Sequence, residues 1–245
     1  MKAKGFILIA ADTSRTRAYL AALFKNEFKP NWVLLLGKPD LTARRGNLRE
    51  NDTFPLVVDP NWEDSVFDPI KDLSEWLDEE EVAYSQISSN EINSSECLEC
   101  LNTRVERLVI FSGYGGSILR EKILGLGKDF LHVHGGYLPD YRGSTTNYFS
   151  TLSEGYIGAS AIFLEKQIDH GVIVARRKFV LPNSIVHLDH FYDSAARARV
   201  LIEALDLLLG FDFQKGLAQE EDQGDVYYIV HPLLKHLAIL KAENN

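Results

Sequence analysis

The first 36 residues restrict the fold more than any other stretch of the chain. Residues 5–11 (Gly-Phe-Ile-Leu-Ile-Ala-Ala) are an apolar, β-rich run that predicts a buried strand. Residues 13–26 have helical spacing, with Asp12 or Thr13 placed to cap the helix, and residues 32–36 (Trp-Val-Leu-Leu-Leu) predict a second strand. A strand–helix–strand start implies a parallel sheet joined by a right-handed crossover.

The alternation continues downstream. Residues 37–69 are polar and carry Pro39, Pro55, Pro60 and Pro69, which predicts a long excursion with little regular structure. Helices are expected at 70–81 and 91–101, and strands at 82–87 and 107–112. The strand at 107–112 runs into Gly113-Tyr114-Gly115-Gly116, after which Ser117 can cap a helix over 118–124. Strands follow at 130–134, 159–164 and 172–180, a helix at 145–154 and a long amphipathic helix at 187–210. An acidic turn at 220–225 and an apolar tail at 227–240 close the chain. Strands alternating with helices argue for an α/β fold with a mostly parallel central sheet flanked by helices. Residues 1–185 read as the catalytic domain and residues 186–245 as a short helical C-terminal extension packed on it.

Composition narrows the class of function. The 245 residues are 45% hydrophobic and 25% charged, so the core needs neither disulfides nor metal staples. The net charge of −9 disfavours nucleic acid, because phosphate neutralisation by basic residues supplies most of that affinity. Small-molecule substrates are the expected partners, with no nucleic acid and no membrane, and a homodimer is compatible with this reading. The N-terminal apolar run ends quickly at Asp12, with no sign of a signal peptide, so a cytoplasmic location is expected. Cys97 and Cys100 lie in an acidic helical pattern without a second ligand pair and read as free thiols in a reducing compartment.

The densest chemistry lies between residues 111 and 173. His132-Val133-His134 sits at the end of a predicted strand, where residues two apart share one face and where open α/β sheets bind ligands. Asp169-His170-Gly171 follows 35 residues after His134. Three readings of the histidines stand side by side: packed side chains, a zinc site completed by Asp169 or His170, and general acid–base work with Asp169 orienting an imidazole.

The run His132-Val-His134-Gly-Gly-Tyr-Leu138-Pro139-Asp-Tyr141-Arg142-Gly143, then Gly155-Tyr-Ile-Gly158-Ala-Ser160 and Asp169-His-Gly171, resembles the folate-dependent formyltransferase family. That family includes glycinamide ribonucleotide and methionyl-tRNA formyltransferases and the N-formyltransferases of nucleotide-linked amino sugars. The resemblance covers residues 107–178 and implies a Rossmann-like formyltransferase fold. It also implies N10-formyltetrahydrofolate as co-substrate, His134 as the catalytic histidine and Asp169 as its partner, with no metal required. The family has asparagine where this chain has His132. A ring N–H of His132 is the expected replacement donor to the oxyanion. Gly135-Gly136 replaces the family's Pro-Ser.

By the same resemblance, the folate binds against Ser112, Gly113, Tyr114, Gly115, Gly116, Ser117 and Ile118, and against the segment from Leu164 to Ile168. Asp12, Arg15, Arg142, Thr145, Thr146 and Asn147 are the expected contacts to the acceptor. The 60 residues after Ile185 look largely helical, unlike the β-domain of the tRNA enzyme, and the turn after the first strand lacks the glycines of the ribonucleotide enzyme. A nucleotide-linked amino sugar is therefore the expected acceptor. An inactive folate- or nucleotide-binding relative and a metal-dependent hydrolase built on His-x-His are the alternatives.

Overall fold

A computed structural model describes residues 5–37, 60–210, 216–220 and 223–244. The strands are β1 (Phe6–Ala11), β2 (Trp32–Leu36), β3 (Tyr84–Ile87), β4 (Leu108–Ser112), β5 (Asp129–His134), β6 (Tyr141–Gly143), β7 (Tyr156–Phe163), β8 (Ile173–Val180) and β9 (Asp225–Tyr227). The helices are α1 (Ser14–Lys25), α2 (Leu73–Glu79), α3 (Ser95–Asn102), α4 (Glu121–Leu124), α5 (Thr146–Ser153), α6 (Asp193–Leu209) and α7 (Pro232–Glu243).

Seven strands form one sheet in the order β3-β2-β1-β4-β5-β7-β8, and β6 pairs with β9 in a small second sheet. Strands β1 to β5 run parallel; β7 is antiparallel to β5, and β8 to β7. The central strands are apolar on both faces because both faces are covered. On β1, Phe6, Leu8 and Ala10 enter one core cluster, together with Ala18, Tyr19, Leu20 and Leu23 of α1 and Ala196, Val200, Leu201 and Ala204 of α6. Ile7 and Ile9 enter a second cluster on the opposite face, with Cys97 and Leu101 of α3 and Ile123 of α4. Burial of Cys97 in that apolar layer pushes its thiol up to about 12, so it stays protonated.

Of the excursion expected at 37–69, residues 38–59 lie outside the described residues, and Pro60–Ser65 is a 3₁₀ turn that buries Trp62. The helix expected over 118–124 is only Glu121–Leu124. Asn93 explains the shortening: its amide donates to the Ile118 carbonyl and its carbonyl accepts from Arg120 N, both at 2.8 Å, holding that strip extended. The helix expected over 187–210 is likewise interrupted. Residues Leu188–Tyr192 form a wider π-type turn that aims Phe191 and Tyr192 at Phe67 and Trp62, and the α-helix starts at Asp193. No helix among the described residues is long and apolar enough to cross a membrane.

Candidate active site

Strand β5 alternates between the two faces. Leu131 and Val133 enter the first cluster and Phe130 the second, so His132 and His134 follow Phe130's side toward the carboxyl end of the sheet. Both open on a cleft of about 690 Å³. The opposite wall is the turn between β7 and β8, which carries Asp169.

Asp169 has a left-handed backbone, φ +55°, which a non-glycine residue adopts only when its surroundings impose it. Those surroundings are visible. The Gln219 amide donates to the carbonyls of both Asp169 (2.9 Å) and Gly171 (2.8 Å). A Cβ on Gly171 would stand 1.6 Å from the Phe163 carbonyl oxygen, so only glycine lets the turn close. The result aims the Asp169 carboxylate inward. One oxygen accepts the Gly143 N–H at 3.0 Å; the other lies 3.5 Å from Nδ1 of His134. His134 Nε2 donates to the Tyr141 carbonyl at 2.8 Å. With Nε2 held as a donor, any proton the ring gains or loses moves at Nδ1, the nitrogen facing Asp169.

The Gly135-Gly136 pair serves packing around this pair. A Cβ on Gly136 would fall 2.7 Å from His134 Nε2, 2.6 Å from Thr146 Oγ1 and 2.7 Å from the Tyr141 oxygen. A Cβ on Gly135 would fall 2.4 Å from both Arg197 Nη2 and Asp193 Oδ1. The missing side chains let α6 bring Arg197 to the cleft. Arg197 donates to Asp193 at 2.7 Å and to the Val133 carbonyl at 2.9 Å. Burial opposes its charge most strongly, but Asp193, Tyr19 and Asp169 together hold the guanidinium above its ordinary value. Arg15, from the first turn of α1, reaches the same cleft while donating to the Gly113 carbonyl and Ser112 Oγ.

His132 is held differently from His134. Its Nδ1 lies 3.2 Å from the Phe111 carbonyl, which can only accept, so Nδ1 carries the hydrogen. Burial and the charges of Arg15 and Arg197 push its pKa well below the ordinary imidazole range, so the ring is neutral and Nε2 carries a bare lone pair. The sequence-based expectation of an N–H from His132 to the oxyanion does not fit this arrangement, because the ring's single N–H is already spent on Phe111.

The other predicted residues divide between the cleft and the scaffold. Tyr114, Gly115, Gly116, Ser117, Ile118, Leu164 and Ile168 line the cleft, as do Arg15, Arg142 and Thr145. Ser112 is buried and bonded to Thr16 Oγ1 at 2.8 Å, and Gly113 contributes its carbonyl to Arg15. Asp12 pairs with Arg17, away from the cleft. Thr146 donates to the Gly135 carbonyl, and Asn147 bridges Asp193 (2.9 Å) and the Gly158 N–H (2.7 Å), so both hold the scaffold instead of facing a substrate. Arg197 and the rim residues Val226, Tyr228 and Ile229 were not anticipated. Asp193 and Arg197 stand at helical i,i+4 spacing, a pairing signal visible in sequence, but nothing local says that the pair meets β5.

The rim comes from the segment containing β9. It runs parallel to β6, with Gly143 opposite Tyr227, and is fastened by Ser144 N to the Tyr227 carbonyl (2.9 Å) and Val230 N to Thr145 Oγ1 (2.8 Å). Tyr227 stacks on Tyr141 at 5.3 Å. Among the described residues no three His, Cys, Asp or Glu side chains are grouped to hold a metal ion.

Comparison with known proteins agrees with this architecture. The formyl transferase family model matches residues 3–187. A methionyl-tRNA formyltransferase of Desulfotalea psychrophila is 23% identical over 229 residues, 88% of this chain and 67% of that one. The crystal structure of HypX from Aquifex aeolicus in complex with tetrahydrofolic acid superposes with a TM-score of 0.58 at 13% identity, covering 97% of this chain but only 34% of HypX. A sugar N-formyltransferase from Shewanella sp. FDAARGOS_354 superposes with a TM-score of 0.54 at 16% identity over 97% of this chain and 87% of that one. With three quarters of its length matched by the family model, this chain belongs to the formyl transferase family.

Proposed function

We propose that this protein transfers the formyl group of N10-formyltetrahydrofolate to the primary amine of a nucleotide-linked amino sugar. The observation that carries the reading is the contact between His134 Nδ1 and the Asp169 carboxylate inside a cleft of about 690 Å³. Acyl transfer needs a group that moves protons at the reacting centre, and an imidazole fixed by a carboxylate supplies it.

The residues present suit a folate. Phe111, Leu119, Leu164 and Ile168 give the cleft apolar walls. A Cβ on Gly115 or Gly116 would meet nothing within 4 Å, and Gly116 has φ +77°, so the backbone there is open to a flat heterocycle. When bound, the folate supplies the formyl group; the protein supplies position, proton transfer and exclusion of water.

Methionyl-tRNA, glycinamide ribonucleotide and sugar enzymes are all among the matched relatives, so the acceptor is argued from this chain's own residues. Arg15 and Arg197 suit a phosphorylated acceptor, and the exposed Tyr228 and Ile229 offer a face for a ring system. The net charge of −9 counts against a polyanionic tRNA.

The test is a panel assay with N10-formyltetrahydrofolate. Nucleotide-linked amino sugars, glycinamide ribonucleotide and methionyl-tRNA are offered separately, and N-formyl product is measured by mass spectrometry. Turnover of an amino-sugar nucleotide is expected. Turnover confined to one of the other two acceptors would overturn the choice of acceptor, and no product from any acceptor would overturn formyl transfer itself.

A further inference from the structure

We infer that His132 is the base that takes the proton from the attacking amine, through its Nε2. The inference rests on the formyl-transfer reading and assigns this chain a catalytic group that its family does not have at this position.

Three observations carry it. First, His132 and His134 leave the same strand two residues apart and open on the same cleft, so both reach one reacting centre. Second, the Phe111 carbonyl fixes the tautomer, which leaves Nε2 with a lone pair, and Nε2 makes no hydrogen bond among the described residues. Third, the two imidazoles have opposite surroundings. Among the described residues, the charged and titratable groups acting on His132 are Arg15 from α1, Arg197 from α6 and His134 on its own strand; the apolar Phe111 of β4 and Ile162 of β7 flank it. His134 faces the Asp169 carboxylate. His132 is thus flanked by cations and His134 by a carboxylate, an arrangement in which two imidazoles on one cleft take separate roles as base and acid.

The proton balance follows. The amine nitrogen forms a bond to the formyl carbon as the carbonyl π pair moves onto the formyl oxygen, and the nitrogen becomes cationic; His132 Nε2 takes one of its protons. The oxygen's pair re-forms the carbonyl as the bond from the formyl carbon to N10 of the folate breaks, with N10 keeping the bonding pair and receiving a proton from the His134–Asp169 pair. His132 releases its proton to solvent and the His134–Asp169 pair takes one back, so the net reaction is amine plus formyl-folate to formamide plus tetrahydrofolate. An asparagine amide, which cannot accept a proton at neutral pH, has no equivalent role.

The experiment has two independent arms. In the first, ¹⁵N NMR of histidine-labelled wild-type protein at pH 7, with His132 assigned by comparison with His132→Gln, reads the tautomer without any turnover. A protonated Nδ1 and a bare Nε2 are expected; a protonated Nε2 would overturn the inference even if formyl transfer were established. In the second, His132→Asn and His132→Ala are assayed at saturating substrates. Both are expected to lose a hundredfold or more of kcat, and added imidazole is expected to restore part of the His132→Ala rate. The acid limb of the wild-type profile is expected below pH 6.5, the ordinary imidazole value. Arg197→Gln, which removes a facing cation, should move that limb upward. Near-wild-type rates for His132→Asn, or an acid limb unmoved by Arg197→Gln, would overturn the assignment. Absence of turnover in the wild type would instead count against formyl transfer, leaving the tautomer to be judged by NMR.

Discussion

Gly136→Ala tests whether the Gly135-Gly136 pair is required by the packing of His134. The added methyl would lie 2.6–2.7 Å from His134 Nε2, Thr146 Oγ1 and the Tyr141 oxygen, against an ordinary contact of 3.4 Å or more. These three atoms cannot all yield independently, since His134 Nε2 and the Tyr141 oxygen are bonded to each other at 2.8 Å. The ring must therefore move by several tenths of an ångström, and its Nδ1 must turn relative to Asp169. Overpacking of this kind costs about 1–3 kcal/mol of stability. Displacement of a reacting group on the ångström scale costs about a hundredfold in rate. The expected variant is folded, melts several degrees lower and retains roughly one hundredth of wild-type kcat, with KM for either substrate little changed. Steady-state kinetics beside a thermal melt provide the check. A variant with wild-type kcat and melting temperature would show that the glycine is incidental and that His134 is not held as described.

His134→Ala and Asp169→Ala should each lose about a hundredfold or more of kcat with an unaltered circular dichroism spectrum, because each removes one member of the proton-transfer pair; retention of near-wild-type kcat by either would refute the pairing. Leu201→Ala, in the fully buried face of α6, should lower unfolding free energy by about 2–5 kcal/mol in denaturant titration. A change under 1 kcal/mol there would mean that α6 does not close the first core cluster.

Much of the framework was legible because its causes are local. The span of β2 was read to the residue and those of β1 and β4 to within one, since unbroken apolar runs suit strands covered on both faces. His134 and Asp169 were legible as residues of a recognisable motif, and the structure brings them within 3.5 Å. What stayed hidden depends on distant partners. Asn147 looked like a substrate contact until its partners, Asp193 and Gly158, were known. His132 looked like a donor because sequence does not disclose that Phe111, on the neighbouring strand, takes its one N–H. The helix at 118–124 was overestimated for the same reason, with Asn93 capturing the backbone from 25 residues away.

The rim of the cleft has a consequence for how such a protein can diversify. Gly143 and its neighbours are joined to the β9 segment through backbone groups and the Thr145 hydroxyl, and Tyr227 and the buried Val230 anchor it. Val226, Tyr228 and Ile229 contribute exposed side chains to the cleft and little to the core. Substitutions at such positions usually shift stability by no more than about 0.5 kcal/mol. They also lie beyond residues 3–187, the stretch shared with the family. Mutational drift can thus redraw the outer wall, residue by residue, while His134, Asp169 and their supports stay under separate constraint. On the proposed function, the acceptor range is then free to evolve on a shorter timescale than the chemistry.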